Sequence, residues 1–127
     1  MLTSLGYLLV LVAAGPDASA DKFDDEFCSS MTSVATQENA KSPFWADAYT
    51  RQDWMTVDCG VKLINWKKYV KRTSNPIELE QQRKGVSEYY CTQNRTFAEA
   101  LSRGWTVSFS VKFSDGTETY IIANCER

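Results

Sequence analysis

Four cysteines in a chain without histidine limit the fold of this protein more than any other feature of its sequence. Cys28, Cys59, Cys91 and Cys125 are widely spaced, and none belongs to a C-x-x-C pair of the kind that structural zinc sites use. An even number of cysteines without histidine favours two disulfide bonds over a metal site. Three pairings of the four cysteines are possible.

The first 20 residues have the pattern of a secretory signal peptide. An apolar run from Leu5 to Ala14 has the length of a signal core, and Ala18-Ser19-Ala20 supplies a small-x-small cleavage sequence. The run is shorter than the roughly 20 apolar residues that span a bilayer, which argues against a membrane anchor. We therefore expect residues 1–20 to be removed on export. Residues 21–127 then form a single disulfide-bonded domain, periplasmic or secreted, without stable membrane insertion.

Three segments of this domain are predicted to be helices. Apolar residues spaced by four, four and three positions predict a first helix running roughly from Asp24 to Gln37. These residues are Phe23, Phe27, Met31 and Val34. Asn75 followed by Pro76 is a favourable helix start and predicts a second helix that extends to about Tyr90.

The third predicted helix is short and runs from Thr96 to about Arg103. Thr96 and Glu99 have the spacing of a capping box, in which Thr96 is the N-cap. Gly104 follows at the position where a helix C-terminus often takes a left-handed residue.

Alternating apolar and polar residues predict four strands. The first two run over about Tyr49–Asp58 and Val61–Val70 and are joined by a tight turn at Gly60. The alternation is strictest from Trp105 to Phe113, which predicts a strand with one buried and one wetted face.

A hairpin connects this third strand to the fourth. Asp115-Gly116 is a favoured two-residue hairpin turn, and the return strand runs from Thr117 to Asn124. That turn predicts a register in which Val111 faces Tyr120 and Phe109 faces Ile122, so that Tyr120 and Ile122 continue the buried face.

The element order α-β-β-α-α-β-β predicts an α+β fold. Its expected form is an antiparallel sheet of about four strands with helices on one face. In this arrangement a Cys91–Cys125 bond would tie down the end of the last strand, and Cys28 on the first helix could reach Cys59 at the first strand turn.

Short motifs between Asp47 and Cys125 resemble a loose group of small exported bacterial proteins. These motifs are Asp47-x-x-Thr50-Arg51-x-Asp53, Cys91, Ala100-Leu101-x-x-Gly104-Trp105, Asp115-Gly116 and Cys125. The resemblance implies a secreted or periplasmic α+β domain in which Cys91 pairs with Cys125. It implies no catalytic residue. Cys28 and Cys59 are not part of these motifs, so their pairing rests only on the even number of cysteines.

Catalysis is restricted by the absence of histidine, which excludes the standard Ser-His-Asp and Cys-His arrangements. Paired carboxylates remain possible, as in glycoside hydrolysis. The available carboxylates are those of Asp47, Asp53, Asp58, Glu88 and Glu99. Solvated surface acids are the simpler interpretation, so the sequence favours a protein that is not an enzyme and carries no catalytic residue.

Two groups of polar residues are candidates for partner binding. Arg51 can pair with Asp53 on one strand, the favoured interpretation, or hold an anionic ligand. Basic residues interleaved with aromatics suit an acidic partner surface. This basic group is Lys62, Lys67, Lys68, Lys71 and Arg72 around Trp66 and Tyr69. Phe44, Trp45 and Trp54 are interpreted as core residues, with interface anchors as the alternative.

The complete set of possible partner-binding residues is Arg51, Asp53, Trp54, Trp66, Lys67, Lys68, Tyr69, Lys71 and Arg72. A net charge of −2 and the predicted export argue against nucleic acid as the partner. The sequence therefore predicts an exported protein-binding module of the bacterial envelope, either an inhibitor, an immunity factor or an accessory factor of secretion or conjugation. We expect another protein as partner and no cofactor. The alternatives are a carboxylate-dependent hydrolase of envelope glycans and a secreted effector.

Overall fold

In the computed structural model of the protein, residues 16–125 are described, with side chains from residue 22 onward. The elements are α1 (Pro16–Ala40), β1 (Phe44–Trp45), β2 (Thr50–Asp58), β3 (Leu63–Val70), α2 (Pro76–Glu88), a π-helical turn (Tyr89–Gln93), α3 (Arg95–Ser102), β4 (Thr106–Phe113) and β5 (Glu118–Ile122). This order confirms the predicted α+β class. Of the predicted signal peptide, residues 1–15 lie outside the described residues. Within the described chain, no helix has the length and apolar character needed to cross a membrane.

The sheet is mixed and has the strand order β1-β2-β3-β4-β5. It differs in detail from the expected four antiparallel strands because the short strand β1 is added and β3 runs parallel to β4. The other neighbouring strands are antiparallel. A parallel pair needs a long crossover, and α2, the π-helical turn and α3 supply it.

The hairpin between β4 and β5 has a different register from the predicted one. Its loop has three residues, Ser114 to Gly116, because the Phe113 N–H donates to the Thr117 carbonyl at 2.8 Å and Gly116 adopts a φ of 89°. Such loops close with a glycine in the left-handed region. The strands therefore pair Val111 with Thr119 and Phe109 with Ile121. Since each one-residue shift exchanges the two faces of a strand, Tyr120 and Ile122 lie on the face opposite to that predicted.

The ends of the helices also differ from the sequence expectations. The N-cap of α3 is Asn94, whose side chain accepts a hydrogen bond from the Phe97 N–H at 3.1 Å, so the predicted capping box is wrong. The Glu99 carboxylate instead accepts from Arg103 Nε at 2.7 Å. Gly104 has a φ of 94°, as its predicted position at the helix end requires.

The core lies between the helices and one face of the sheet. β4 occupies its centre, with Val107, Phe109, Val111 and Phe113 buried. From α1, Phe27 contacts Trp105 and Phe97 edge-to-face, with ring centroids 4.9 and 5.4 Å apart. Met31 and Ala35 continue the buried face of α1 and complete the helical spacing, whereas Val34 is exposed.

Two disulfides hold the helices to the sheet, and their number agrees with the prediction from the sequence. Cys28 on α1 bonds to Cys59 after β2, with the Cα atoms 5.8 Å apart. Cys91 in the π-helical turn bonds to Cys125 after β5, with the Cα atoms 5.5 Å apart. This is the pairing favoured from the sequence. Two disulfides indicate an oxidising compartment.

Polar side chains fix α1 at two places along its length. In the first half of the helix, one turn before Cys28, Asp24 pairs with Lys62 Nζ at 2.9 Å and accepts the indole N–H of Trp105 at 3.0 Å. These two hydrogen bonds hold the pKa of Asp24 below its usual value. Near its end, Asn39 exchanges two hydrogen bonds of 2.8 Å with the backbone N–H and C=O of Met55. Asn39 thus completes the pairing of β2 beyond the short strand β1.

Replacing Asn39 by alanine is expected to lower the free energy of unfolding by about 1–3 kcal/mol, because two backbone groups of the buried residue Met55 lose their partners. Urea unfolding measures the change. The exposed neighbour Gln37 on the same helix is the control, and its alanine variant should unfold like the wild type. Equal stability of the two variants would contradict the bridging role of Asn39.

The ionised carboxylate of Asp115 is expected to stabilise the fold, and this stabilisation is expected to disappear at strongly acidic pH. Its carboxylate accepts from the N–H groups of Thr117 and Ser74 at 3.0 and 3.1 Å, which lowers its pKa to about 2. Because the folded-state pKa is depressed, this stabilisation is complete above the unfolded-state pKa of about 4 and is lost as the pH falls through about 2. The melting-temperature difference between the wild type and Asp115→Asn should therefore shrink from pH 4 to pH 2. A difference independent of pH would refute this.

Candidate functional site

The face of the sheet opposite the helices, called here the open face, carries large side chains in contact with solvent. Strand register places Trp54, Lys67, Ser110 and Tyr120 in one row across it. The exposed apolar residues of this face are Trp45 (49% exposed), Trp54 (47%), Tyr120 (71%) and Ile122 (46%). Trp45 and Trp54 are therefore not core residues, contrary to the interpretation favoured from the sequence.

One end of the open face is organised around Arg51. Its guanidinium lies 5.7 Å from the ring centroid of Trp45 and 4.8 Å from that of Tyr69. Asp53, displaced by a bulge in β2, accepts two hydrogen bonds from Arg51, of which Nη2–Oδ2 measures 3.1 Å. The Asp53 carboxylate raises the pKa of Arg51. Arg51 thus forms an ion pair with Asp53, as the interpretation favoured from the sequence expects. Its guanidinium also makes cation–π contacts with Trp45 and Tyr69.

The middle of the open face carries short polar side chains. The Asn65 side-chain oxygen accepts hydrogen bonds from the hydroxyls of Ser108 at 2.6 Å and Ser110 at 3.2 Å. Beside them lies a pocket of about 340 Å³. Its lining includes Asp53, Lys67, Ser110, Lys112, Glu118 and Tyr120. Aromatic side chains around a polar centre, with both signs of charge, are features of protein interfaces.

A second concavity, called here the cleft, lies on the helix side of the sheet. Helix α2 packs against β5, and the cleft lies between this helix and the neighbouring strands β3 and β4. The cleft has a volume of about 410 Å³. Its apolar lining includes Val70, Val86, Tyr90, Phe109, Val111 and Ile121.

Lys68 places a cation in this apolar cleft. Its ammonium lies 5.0 Å from the ring centroid of Phe109, and the side chain is half-buried. Burial lowers the pKa of Lys68, and the distant charge of Asp47 offsets this only in part. Among residues 22–125, no carboxylate comes within ion-pair distance of the Lys68 ammonium. Lys68 is thus a partly desolvated cation with an aromatic ring as neighbour and no anion.

The structure separates the basic residues that the sequence groups together. Lys62 pairs with Asp24 at the far end of β3, and Arg72 pairs with Glu78 at 3.3 Å. Lys71 is exposed beyond β3. Neighbouring residues of β3 point to opposite faces, so Lys67 and Tyr69 lie on the open face while Lys68 lies on the helix side.

Trp66 also lies on the helix side of β3. It stacks on Phe109, with centroids 5.0 Å apart, and belongs to the packing around the core. Tyr120, Ile122, Val86 and Tyr90 are absent from the set of binding residues predicted from sequence. The loop Ser114-Asp115-Gly116 decides the orientation of the first two, because a loop of three residues turns them outward.

The candidate catalytic carboxylates have structural partners. Asp47 accepts the N–H groups of Tyr49 and Thr50, both at 2.8 Å, which lowers its pKa. A general acid needs the opposite shift. Asp58 accepts the N–H groups of Gly60 and Val61 at 3.0 and 3.3 Å, and Asp53 and Glu99 pair with arginines. Glu88 is exposed. These contacts argue against hydrolysis by this set.

No protein-family model matches the sequence, and no curated protein matches it. Solved structures do share the fold. One is a Pseudomonas aeruginosa protein classed as secreted, with 14% identity and a TM-score of 0.55, in which 89% of this chain covers 96% of that one.

Two further structures are pilotins of type II secretion systems. EpsS of Vibrio vulnificus is 13% identical with a TM-score of 0.57, and 84% of this chain covers 98% of it. AspS of Vibrio cholerae is 12% identical with a TM-score of 0.50, and 84% of this chain covers 95% of it. At these identities the likeness shows that the fold is shared.

Replacing Lys68 by methionine is expected to raise the free energy of unfolding by an amount on the order of 1 kcal/mol, because the desolvated charge is removed and the cleft stays filled. Chemical denaturation measures the change. Lys67→Met is the matched control, since Lys67 is exposed on the open face and its replacement should change stability little. A destabilised Lys68→Met variant would show that the cation supports the fold.

Proposed function

We propose that this protein is a non-enzymatic binding module of the bacterial cell envelope that serves as an accessory factor of a secretion apparatus. In this proposal, residues 1–20 direct export and are removed. The exported domain then binds a protein component of the apparatus through the open face. The observation that carries the proposal is the set of exposed apolar side chains on a sheet face that no described helix covers, namely Trp45, Trp54, Tyr120 and Ile122.

The composition of the open face favours a protein as the partner. Trp54 and Tyr120 stand at the two sides of the face, and Ile122 adds an exposed aliphatic side chain. Trp and Tyr are enriched among the few residues that supply most of the binding free energy at protein interfaces.

The charges of the open face favour an acidic partner surface. Asp53 and Glu118 are each engaged with a basic residue of the same face, Arg51 and Lys112 respectively. Lys67, in the central row, has no ion pair within the described chain. The unbalanced charge of the face is therefore positive, which would steer an acidic partner toward it.

The choice of a secretion apparatus rests on the shared fold. Two of the similar structures are pilotins of type II secretion systems, and the third is classed as a secreted protein. The two disulfides agree with a site of action outside the cytoplasm. The contacts of the carboxylates leave the hydrolase alternative without a supporting observation.

Affinity capture tests this proposal. The protein is expressed from its full sequence, purified oxidised from the periplasm and exposed to envelope extract. Tyr120→Glu and Ile122→Glu should each weaken capture of the partner at least about tenfold, because a charge replaces an apolar contact on the open face. Mass spectrometry of the same bait should give Asp21 as its first residue. A bait that still begins at Met1 would refute the export segment.

The matched control is Ile77→Glu, which makes the same kind of substitution at an exposed position of α2. It should capture the partner as the wild type does, and all variants should melt at similar temperatures. Equal capture by the open-face variants and the control would exclude the open face as the interface. A captured protein that belongs to no secretion apparatus would exclude the assigned role.

A further inference from the structure

We propose that the cleft binds a peptide segment of a partner protein in which an aspartate or glutamate is flanked by aliphatic residues, and that Lys68 receives its carboxylate. This site is on the opposite side of the sheet from the open face. The proposal therefore goes beyond the function proposed above and does not depend on it.

The first step in the argument is the shape of the cleft. Its volume of about 410 Å³ lies within the range of about 300–1,000 Å³ that is usual for ligand pockets. Val70, Val111 and Ile121 come from the sheet, and Val86 and Tyr90 come from the opposite wall. Aliphatic side chains of a ligand would replace water on the half-buried Val86 and Tyr90 and gain burial energy there.

The second step is the charge of the cleft. A lysine with a partly buried stem normally extends its ammonium into water, whereas that of Lys68 lies against the ring of Phe109. Arg72 lines the same cleft, and its ion pair with Glu78 is exposed to solvent. The cleft therefore presents an unneutralised cation beside apolar walls, and a carboxylate is the complementary ligand group.

The tyrosines of the cleft do not neutralise the charge of Lys68. Burial raises the pKa of Tyr90, so its phenol stays protonated at neutral pH. Tyr89 and Tyr90 pack edge-to-face with ring centroids 4.9 Å apart. Phenols can donate hydrogen bonds to an anion, whereas a ligand without negative charge would leave Lys68 desolvated and unpaired.

The third step is the choice of a peptide as occupant. A fatty acid also combines a carboxylate with an apolar body. The cleft lining, however, includes Gln82, and the donor and acceptor groups of its amide match the backbone C=O and N–H groups of a peptide. A hydrocarbon chain would bury such groups without giving them a partner.

Selection from a library of random 12-residue peptides displayed on phage tests the proposal, with the oxidised protein exported from its full sequence as the target. Enriched peptides should carry Asp or Glu beside aliphatic residues. The affinity of a synthetic enriched peptide should fall at least about tenfold in Lys68→Met and when its acid is changed to the amide. Lys84→Met is the charge-matched control and should bind normally, because Lys84 is exposed on α2 and lines neither the cleft nor the open-face pocket.

Gly85 provides a second, independent pair of variants. It lines the cleft in the last turn of α2, and a Cβ at this position would meet no atom within 4 Å. Gly85→Phe should occupy the cleft and abolish peptide binding, while Gly85→Ala should preserve it. Both replacements favour the helix, so loss of binding would not arise from unfolding.

Three outcomes would overturn the proposal. The first is that no peptide is enriched. The second is that enriched peptides bind equally well to Lys68→Met or lack a carboxylate. The third is that dodecanoate binds with Lys68-dependent affinity while no peptide does, which would make the occupant a fatty acid. Each outcome is independent of the open-face variants, so the two proposals fail separately.

Discussion

The parallel pairing of β3 with β4 governs the rest of this structure. It runs from Leu63 opposite Thr106 to Val70 opposite Phe113 and forms the middle of the sheet. Parallel neighbours cannot be joined by a tight turn, so the chain between them must cross over the sheet. The crossover carries α2 and α3 onto the face where α1 also packs. One face of the sheet thereby receives the helices, and the other face has only its own side chains to meet the solvent.

The same pairing gives the two candidate surfaces their opposite character. Strand β3 contributes Lys67 to the open face and Lys68 to the cleft, because successive side chains point in opposite directions. On the open face the cation stands in water beside aromatic rings. In the cleft the cation is partly withdrawn from water and lies over Phe109. Lys67 and Lys68 therefore carry the same charge, but only Lys68 bears a cost for being partly withdrawn from water. Comparing their substitutions separates the effect of the charge from the effect of its desolvation.

Local sequence patterns predict a structural feature well when the pattern is compatible with only one local conformation. The alternation in β4 predicts its buried face, and Gly104 predicts the end of α3. The parallel pairing has no local signal, since it depends on how the crossover packs. The register of β5 depends on whether the hairpin loop has two or three residues, and Asp115-Gly116 is compatible with both. The alternation along β3 does predict that Lys67 and Lys68 point to opposite faces, but which of the two faces the helices cover depends on the crossover and has no local signal.

The three-residue loop from Ser114 to Gly116 determines which side chains of β5 a partner would meet. With one residue fewer, the same strand would present Thr119 and Ile121 outward and turn Tyr120 and Ile122 toward the helices. An insertion or deletion in this loop thus exchanges the exposed chemistry of a whole sheet edge without changing any residue of the strand. Variation in loop length alone offers proteins of this fold a route to new binding specificity.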